Sequence, residues 1–290
     1  LSSSSAASDV YKRQDVDIST GSVGLGVAMT SFVSLIQDYI LKKQFGKKIP
    51  KGRMVALVGD AELDEGNVYE CLQEGWKHDL RNVWWIIDYN RQSLDGVVHE
   101  GLSERLSSVF EAFGWNLIVL KYGRLQKDAF KEPGGNLLKK WIDDCPNQLY
   151  SALIYEGGAA FKKRVLDDIG DQDIVSKLIN KRSDNEFLEL MANLGGHCVP
   201  TLCDAFNGIN DDKPTAFIAY TIKGWGTPLA GHKDNHAGLM TKIQMDSFKS
   251  KFGITEGNEW NSFLDAKEDL ELNGFIKNSP VSYTHLTLPT

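Results

Sequence analysis

Two short apolar runs, Met54–Val58 and Val83–Ile87, each end in polar residues, Gly59-Asp60 and Asp88-Tyr89-Asn90, with one amphipathic segment between them. Runs of this length suit strands and are too short for buried helices. The order strand, helix, strand predicts a parallel pair joined by a right-handed crossover, which puts both polar ends on one edge of the sheet. Ligands in open α/β sheets bind beyond that edge. The alternation continues along the chain. Trp115–Leu120 and Thr215–Tyr220 read as further strands. Gly101–Phe113, Asn136–Asp144, Ala159–Asn180, Asn185–Ala192 (capped by Asp184) and Thr241–Phe252 read as helices. The expected fold is α/β, a doubly wound, mostly parallel sheet flanked by helices.

Asp60 and Asn90 are thirty positions apart in sequence, yet this topology makes them neighbours in space. A carboxylate, an amide oxygen and a nearby main-chain carbonyl are hard oxygen ligands that suit magnesium, which keeps water and phosphate oxygens as its other ligands. Gly59 permits close approach of backbone to a ligand. The helix expected from Leu63–Asn67 points its N-terminus at the same place, where free N–H groups favour a phosphate. Either residue alone reads as a helix-capping Asp or a turn Asn. Together, at matching strand ends, they read as a metal-bridged diphosphate site. On the helix Gly66–His78, Tyr69, Leu72 and Trp76 fall at spacings of three and four and are expected to face the core. Asp64 and Glu65 at its start suit the helix dipole.

Two glycine-rich stretches flank this unit. Thr20–Gly26 opens an apolar-periodic segment that runs to Ile40, and by itself it reads as a close-packing turn. After Thr215–Tyr220 come TIKGWG and PLAGHKDNHAG, holding Lys223, His232 and His236. Two histidines four apart could bind zinc on a helix, but the glycines argue against a helix there. A mobile loop bringing a histidine to donate or accept a proton fits better. The net charge of −7 argues against nucleic acid or an anionic membrane as the main partner. No apolar run approaches the eighteen or so residues of a membrane span. Four cysteines without a CxxC pair read as free thiols in a reducing, cytoplasmic compartment. Residues 1–14 and 281–290 read as non-native-looking tails, which leaves 15–280 as one domain.

The string GDA…N at this spacing resembles the thiamine diphosphate motif, a Gly-Asp-Gly followed some thirty residues later by Asn. The longer strings GDAELDEG, DYNRQSLDG and TIKGWG resemble the first, decarboxylating component of the homodimeric pyruvate dehydrogenase complex, within the transketolase-like superfamily. That resemblance implies a thiamine diphosphate-binding fold, with residues 15–280 as a fragment forming the diphosphate-binding domain. It implies magnesium held by the Asp60 and Asn90 side chains and the Gln92 main-chain oxygen. Cofactor contacts would come from Ser22, Val23, Gly24, Gly59, Asp60, Ala61, Glu62, Asn90, Gln92 and Lys223. His236, Lys223 and Glu65 would be the catalytic residues, with Glu65 in a carboxylate cluster linking two sites across a homodimer. His232 competes with His236, because spacing in that loop differs from the family pattern. The implied activity is oxidative decarboxylation of a 2-oxo acid, pyruvate before others, with acyl transfer to a lipoyl group on an acyltransferase partner. Transketolase and a non-catalytic cofactor-binding protein are the alternatives. The third motif residue departs from the pattern: Ala61 replaces glycine, and its methyl would crowd the diphosphate if that position needs positive φ. No residue matches the glutamate that contacts the cofactor's pyrimidine ring in this family.

Overall fold

The computed structural model describes residues 18, 20–21, 23–45, 51–93, 96–97, 101–259, 271 and 274. Both tails expected from the sequence, 1–14 and 281–290, lie outside them. The chain divides into two compact units, Leu1–Gly26 with Thr241–Thr290, and Val27–Met240.

The larger unit is built on four parallel strands: β1 (Met54–Gly59), β2 (Val83–Tyr89), β5 (Asn116–Leu120) and β6 (Thr215–Tyr220), in the order β1-β2-β6-β5. Between β2 and β5 a two-residue antiparallel ribbon forms from β3 (Gln92–Ser93) and β4 (Gly96–Val97). Register places Gly59 level with Asp88, and Tyr89 level with Tyr220. The polar residues that end β1 and β2 therefore do share one edge, and the parallel α/β fold is as expected.

Central strands in such a sheet are covered on both faces, and β2 shows how. On one face Trp85 packs against the rings of Phe110 and Trp115, and its Nε1–H donates to Thr30 Oγ1 at 3.0 Å. Thr30 belongs to helix α1 (Leu25–Lys43), and Phe110 to α3 (Leu102–Ala112). On the other face Trp84 stacks on Phe206 of a later helix, Val199–Asn207, with ring centroids 5.6 Å apart. All six residues of β6 are buried. By contrast, β1 is an edge strand whose outer face is open, with Val55 50% and Leu57 78% exposed.

Helix α2 (Gly66–Lys77) corrects one expectation. Its core face is Val68, Cys71, Leu72 and Gly75, whereas Tyr69 is 39% and Trp76 64% exposed. The face is set one position off the aromatic stripe because the short side chains of Cys71 and Gly75 allow close approach: a Cβ on Gly75 would touch Leu80 at 3.0 Å. α1 is two-sided in the same way, burying Val27, Ala28, Ser31 and Ser34 while Phe32, Val33, Ile36 and Tyr39 stay exposed.

Between β5 and β6 the chain makes a helical excursion: α4 (Arg124–Phe130), α5 (Gly135–Asp144), α6 (Asn147–Glu156), α7 (Gly158–Ile169), α8 (Asp173–Asn180), α9 (Asp184–Ala192) and α10 (Val199–Asn207). The expected single helix Ala159–Asn180 is thus two, broken at Gly170–Gln172. Ser183, rather than Asp184, caps α9: its Oγ accepts the Glu186 N–H and Glu186 Oε2 accepts the Ser183 N–H. The excursion has its own aromatic core, with Phe161 against Trp141, Tyr150 and Phe187. In the smaller unit, α11 (Lys242–Lys251) starts from a capping box of Thr241 and Gln244. Among the described residues no helix is long and apolar enough to cross a membrane.

Candidate functional site

At the end of β1 the backbone tightens into a 3-10 turn, Asp60–Asp64, rather than entering α2 directly. Glu62 folds back so that its Oε2 accepts the Gly59 N–H at 3.2 Å. Ala61 lies inside this turn and is not among the residues with positive φ. Its methyl therefore meets no backbone conflict, and the feared crowding does not arise from conformation.

Asp60 is only 4% exposed. Its Oδ2 accepts the Arg91 N–H at 2.7 Å, which ties the end of β1 to the residue after Asn90. Burial is the largest influence on this carboxyl and pushes it up to about 6; the Arg91 N–H opposes this, Asp88 adds to it, and Ala61 N–H and Lys223 oppose it. Asn90 Oδ1 accepts the Gln92 N–H at 3.0 Å. The turn between them is tight enough to hold Arg91 at φ 66°, a left-handed backbone that a branched or long side chain adopts only under constraint. The constraint comes from the Arg91 side chain itself. Its guanidinium is buried near the rings of Tyr150 and Tyr220 and donates to Asn147 Oδ1 at 3.4 Å and Thr221 O at 3.3 Å.

This donor set fits a hard divalent cation. A buried carboxylate with a raised pKa gains from a nearby positive charge. The Gln92 side-chain oxygen, also buried, has no hydrogen-bond partner. Asp60, Asn90 and Gln92 offer oxygen ligands from one short stretch of strand ends, as magnesium requires. Among the described residues no group of three or more His, Cys, Asp or Glu is placed to hold a metal.

The other expected residues are spread more widely. Glu65 stands exposed where the 3-10 turn meets α2, with no side-chain capping bond. Lys223 is half-buried, and its carbonyl accepts the Gly231 N–H at 3.1 Å and the Asn235 Nδ2–H at 3.0 Å. His232 is tied down: its Nδ1 accepts the Asp234 N–H and its ring lies 4.5 Å from that of Tyr155. His236 is exposed and carries no such ties. Val23 and Gly24 belong to the smaller unit, Val23 exposed and Gly24 buried with φ 72°. Ser22 lies outside the described residues.

Sequence reasoning overlooked Arg91 and His197. A pocket of about 470 Å3 opens at the strand edge, lined by Asp88, Asn90, His197, Lys223 and Trp225 among others. The one available signal for His197 was the Gly195-Gly196 pair just before it. Asp88 Oδ1 in the same pocket accepts the Thr221 hydroxyl.

A parallel sheet whose strand ends join a buried carboxylate to an Asn-X-Gln turn brings hard oxygen atoms together at one edge of an α/β domain. Residues 2–129 match the family described as "Transketolase, thiamine diphosphate binding domain". Over most of its length the chain is similar to pyruvate dehydrogenase E1 components. That of Buchnera aphidicola is 28% identical over 90% of this chain and 29% of its own length. That of Pseudomonas aeruginosa is 28% identical over 81% of this chain and 27% of its own. Among solved structures, transketolase from Leishmania mexicana is 16% identical with a TM-score of 0.48, covering 93% of this chain and 30% of that one. The resemblance carried by GDAELDEG and DYNRQSLDG is borne out. The chain spans under a third of the length of the curated relatives it matches.

Proposed function

We propose that this chain supplies the diphosphate-binding half of a thiamine-diphosphate-dependent enzyme, an oxidoreductase that decarboxylates a 2-oxo acid, pyruvate before others, and passes the acyl group to a lipoyl group on an acyltransferase partner. The observation that carries this reading is the 2.7 Å bond from the Arg91 N–H to Asp60, because it joins the two halves of the motif at one sheet edge. Similarity to pyruvate dehydrogenase E1 components supports the choice of substrate and partner.

In this reading Asp60, Asn90 and the Gln92 main-chain oxygen hold magnesium, and magnesium holds the diphosphate. Once bound, thiamine diphosphate supplies the electron sink that decarboxylation needs. Lys223, at the same edge, places a positive charge beside the diphosphate or the substrate carboxylate. His236, free of the ties that hold His232, is the better placed of the two to move a proton or orient the acyl acceptor. Gly59, Ala61 and Glu62 shape the turn around the phosphate groups. Residues 15–280 form one functional domain, and Glu65 acts across a homodimer. The exposed apolar side of α1 is surface of the kind that a second chain covers.

The test is calorimetric titration of the 290-residue chain with thiamine diphosphate, with and without magnesium. Magnesium-dependent binding is expected. Binding that ignores magnesium would remove the metal-bridged reading, and no binding at all would remove the cofactor.

A further inference from the structure

Two consecutive glycines deliver His197 to the edge of the sheet. The 3-10 turn Gly195–His197 presses against the ends of β5 and β6. A Cβ on Gly195 would stand 2.2 Å from the Leu120 carbonyl oxygen, and one on Gly196 2.7 Å from the Tyr220 carbonyl oxygen and 2.6 Å from the Thr221 methyl. Backbone cannot give way to side chains there, so only glycine permits the approach. The turn is held further by the Gly195 N–H, which donates to Lys121 O at 3.1 Å.

The imidazole is fixed as firmly as its backbone. Its Nε2 accepts the Ile222 N–H at 2.8 Å, and its ring stacks on Trp225 with centroids 4.5 Å apart and planes 16° from parallel. A backbone N–H can only donate. Nε2 is therefore the bare nitrogen, and in the neutral ring the proton sits on Nδ1. Burial, and then the nearby Arg91 charge, keep the ring neutral by lowering its pKa to about 4. Nδ1 has no hydrogen-bond acceptor among the described residues. The same ring lines the pocket that Asn90 and Lys223 share.

We infer that His197 is a ligand-contacting residue: its Nδ1–H is a fixed, neutral donor to an anionic oxygen held in this pocket beside Lys223. Lys223 contributes charge without direction, since an ammonium donates around a cone. The clamped imidazole contributes direction without charge. The chemical class of the ligand is a phosphate or carboxylate oxygen. Which of the two it is rests on the proposed function, as the diphosphate of the cofactor or the carboxylate of the 2-oxo acid.

Two substitutions separate the two nitrogens. In His197→Asn the amide nitrogen can take the place of Nδ1, keeping the donor but losing the acceptor for Ile222. In His197→Gln the amide oxygen can take the place of Nε2, keeping the clamp but losing the donor. Inorganic diphosphate with magnesium, and separately pyruvate, are titrated into wild type and both variants, with thermal melts to check folding. His197→Gln is expected to weaken binding of one of the two anions about tenfold, while His197→Asn stays within a few-fold of wild type. Wild-type affinity in His197→Gln would overturn the inference. A measurement needing no variant is nitrogen NMR of the wild-type chain labelled at histidine. It should show a protonated Nδ1 that moves when the anion is added; a protonated Nε2, or a ring that ignores both anions, also overturns the inference. If wild type binds thiamine diphosphate and His197→Gln is unaffected, only the role of His197 falls. If wild type binds neither anion nor cofactor, the functional reading falls with it.

Discussion

The carboxyl ends of β1 and β2 and the glycine-rich turns after β6 bring polar side chains to the same larger unit, but they are held by different means. At the first, register and one charged hydrogen bond set the geometry: Asp60 is locked to Arg91, and Asn90 to Gln92. At the second, no strand or helix takes part. The order comes from a chain of short-range bonds, Thr227 N–H to Gly224 O, Gly231 N–H to Lys223 O and His232 N–H to Leu229 O. Such bonds continue past His232, with Asn235 N–H to His232 O and Gly238 N–H to Asp234 O, yet His232 and His236 sit in different surroundings: the His232 ring lies against Tyr155, while His236 is exposed. The lesson is that a sheet edge fixes polar side chains through strand register, while a run of turns can seat one histidine against a ring and leave the next exposed.

The largest expected effect comes from breaking the backing of the sheet edge. Gly195→Ala forces a methyl onto the Leu120 carbonyl and should cost on the order of 2–3 kcal/mol, as overpacking against backbone does. Urea unfolding would measure it, and an unchanged midpoint would mean that the turn can move away from β5. Next is Asp60→Ala. Loss of a charged metal ligand should weaken magnesium-dependent thiamine diphosphate binding at least tenfold, about 1.4 kcal/mol or more, while the turns beyond Lys223 keep their structure. Unchanged affinity would remove Asp60 from the site.

These two positions also show what could be read in advance. The strands and the Asp60–Asn90 pair were legible because apolar runs ending in polar residues are a local pattern with one topological outcome. The core face of α2 was not, since Cys71 and Gly75 define it by being small, and hydrophobic spacing favours the larger Tyr69 and Trp76. α4, α6 and α10 were missed because their contacts are made to distant parts of the chain: Gln126 of α4 to Tyr150 and Met191, Tyr150 of α6 to Phe161, and Phe206 of α10 to Trp84 of β2. His197 depends on steric contacts between residues far apart in the chain, which no spacing rule contains.

A smaller effect should appear in the pH dependence of stability. The folded state holds His197 at about 4, below its ordinary value of 6.5, so the unfolded chain binds the extra proton between those values. The contribution of His197 is therefore complete above pH 6.5 and is lost as pH falls toward 4. Asp60, raised to about 6, acts with the opposite sign over much of that window: ionising it costs stability as pH rises. Melting temperatures of wild type and His197→Gln should therefore diverge less at pH 4 than at pH 7. A constant gap would mean that the imidazole titrates normally.

Smallest of all, His236→Ala should change stability by no more than about 0.5 kcal/mol, as exposed positions do, yet lower turnover in the assembled enzyme. Amide exchange should sharpen the same contrast, with Lys233–Met240 exchanging faster than Gly224–His232. Equal rates would mean that the two halves of the loop are held alike.

The open outer face of β1 has a consequence for handling the protein. Among the described residues this strand pairs with β2 and with no strand on its other side. Its sequence, Met-Val-Ala-Leu-Val-Gly, holds neither a charge nor a proline. Such a segment is a template for strand addition between molecules, the first step toward cross-β fibres. Lys51 and Arg53 precede it, but Lys51 pairs with Asp212 and Arg53 lies over the Trp84 ring. Both charges thus have partners at the start of the strand, and concentrated stocks should associate through β1 more readily than dilute ones.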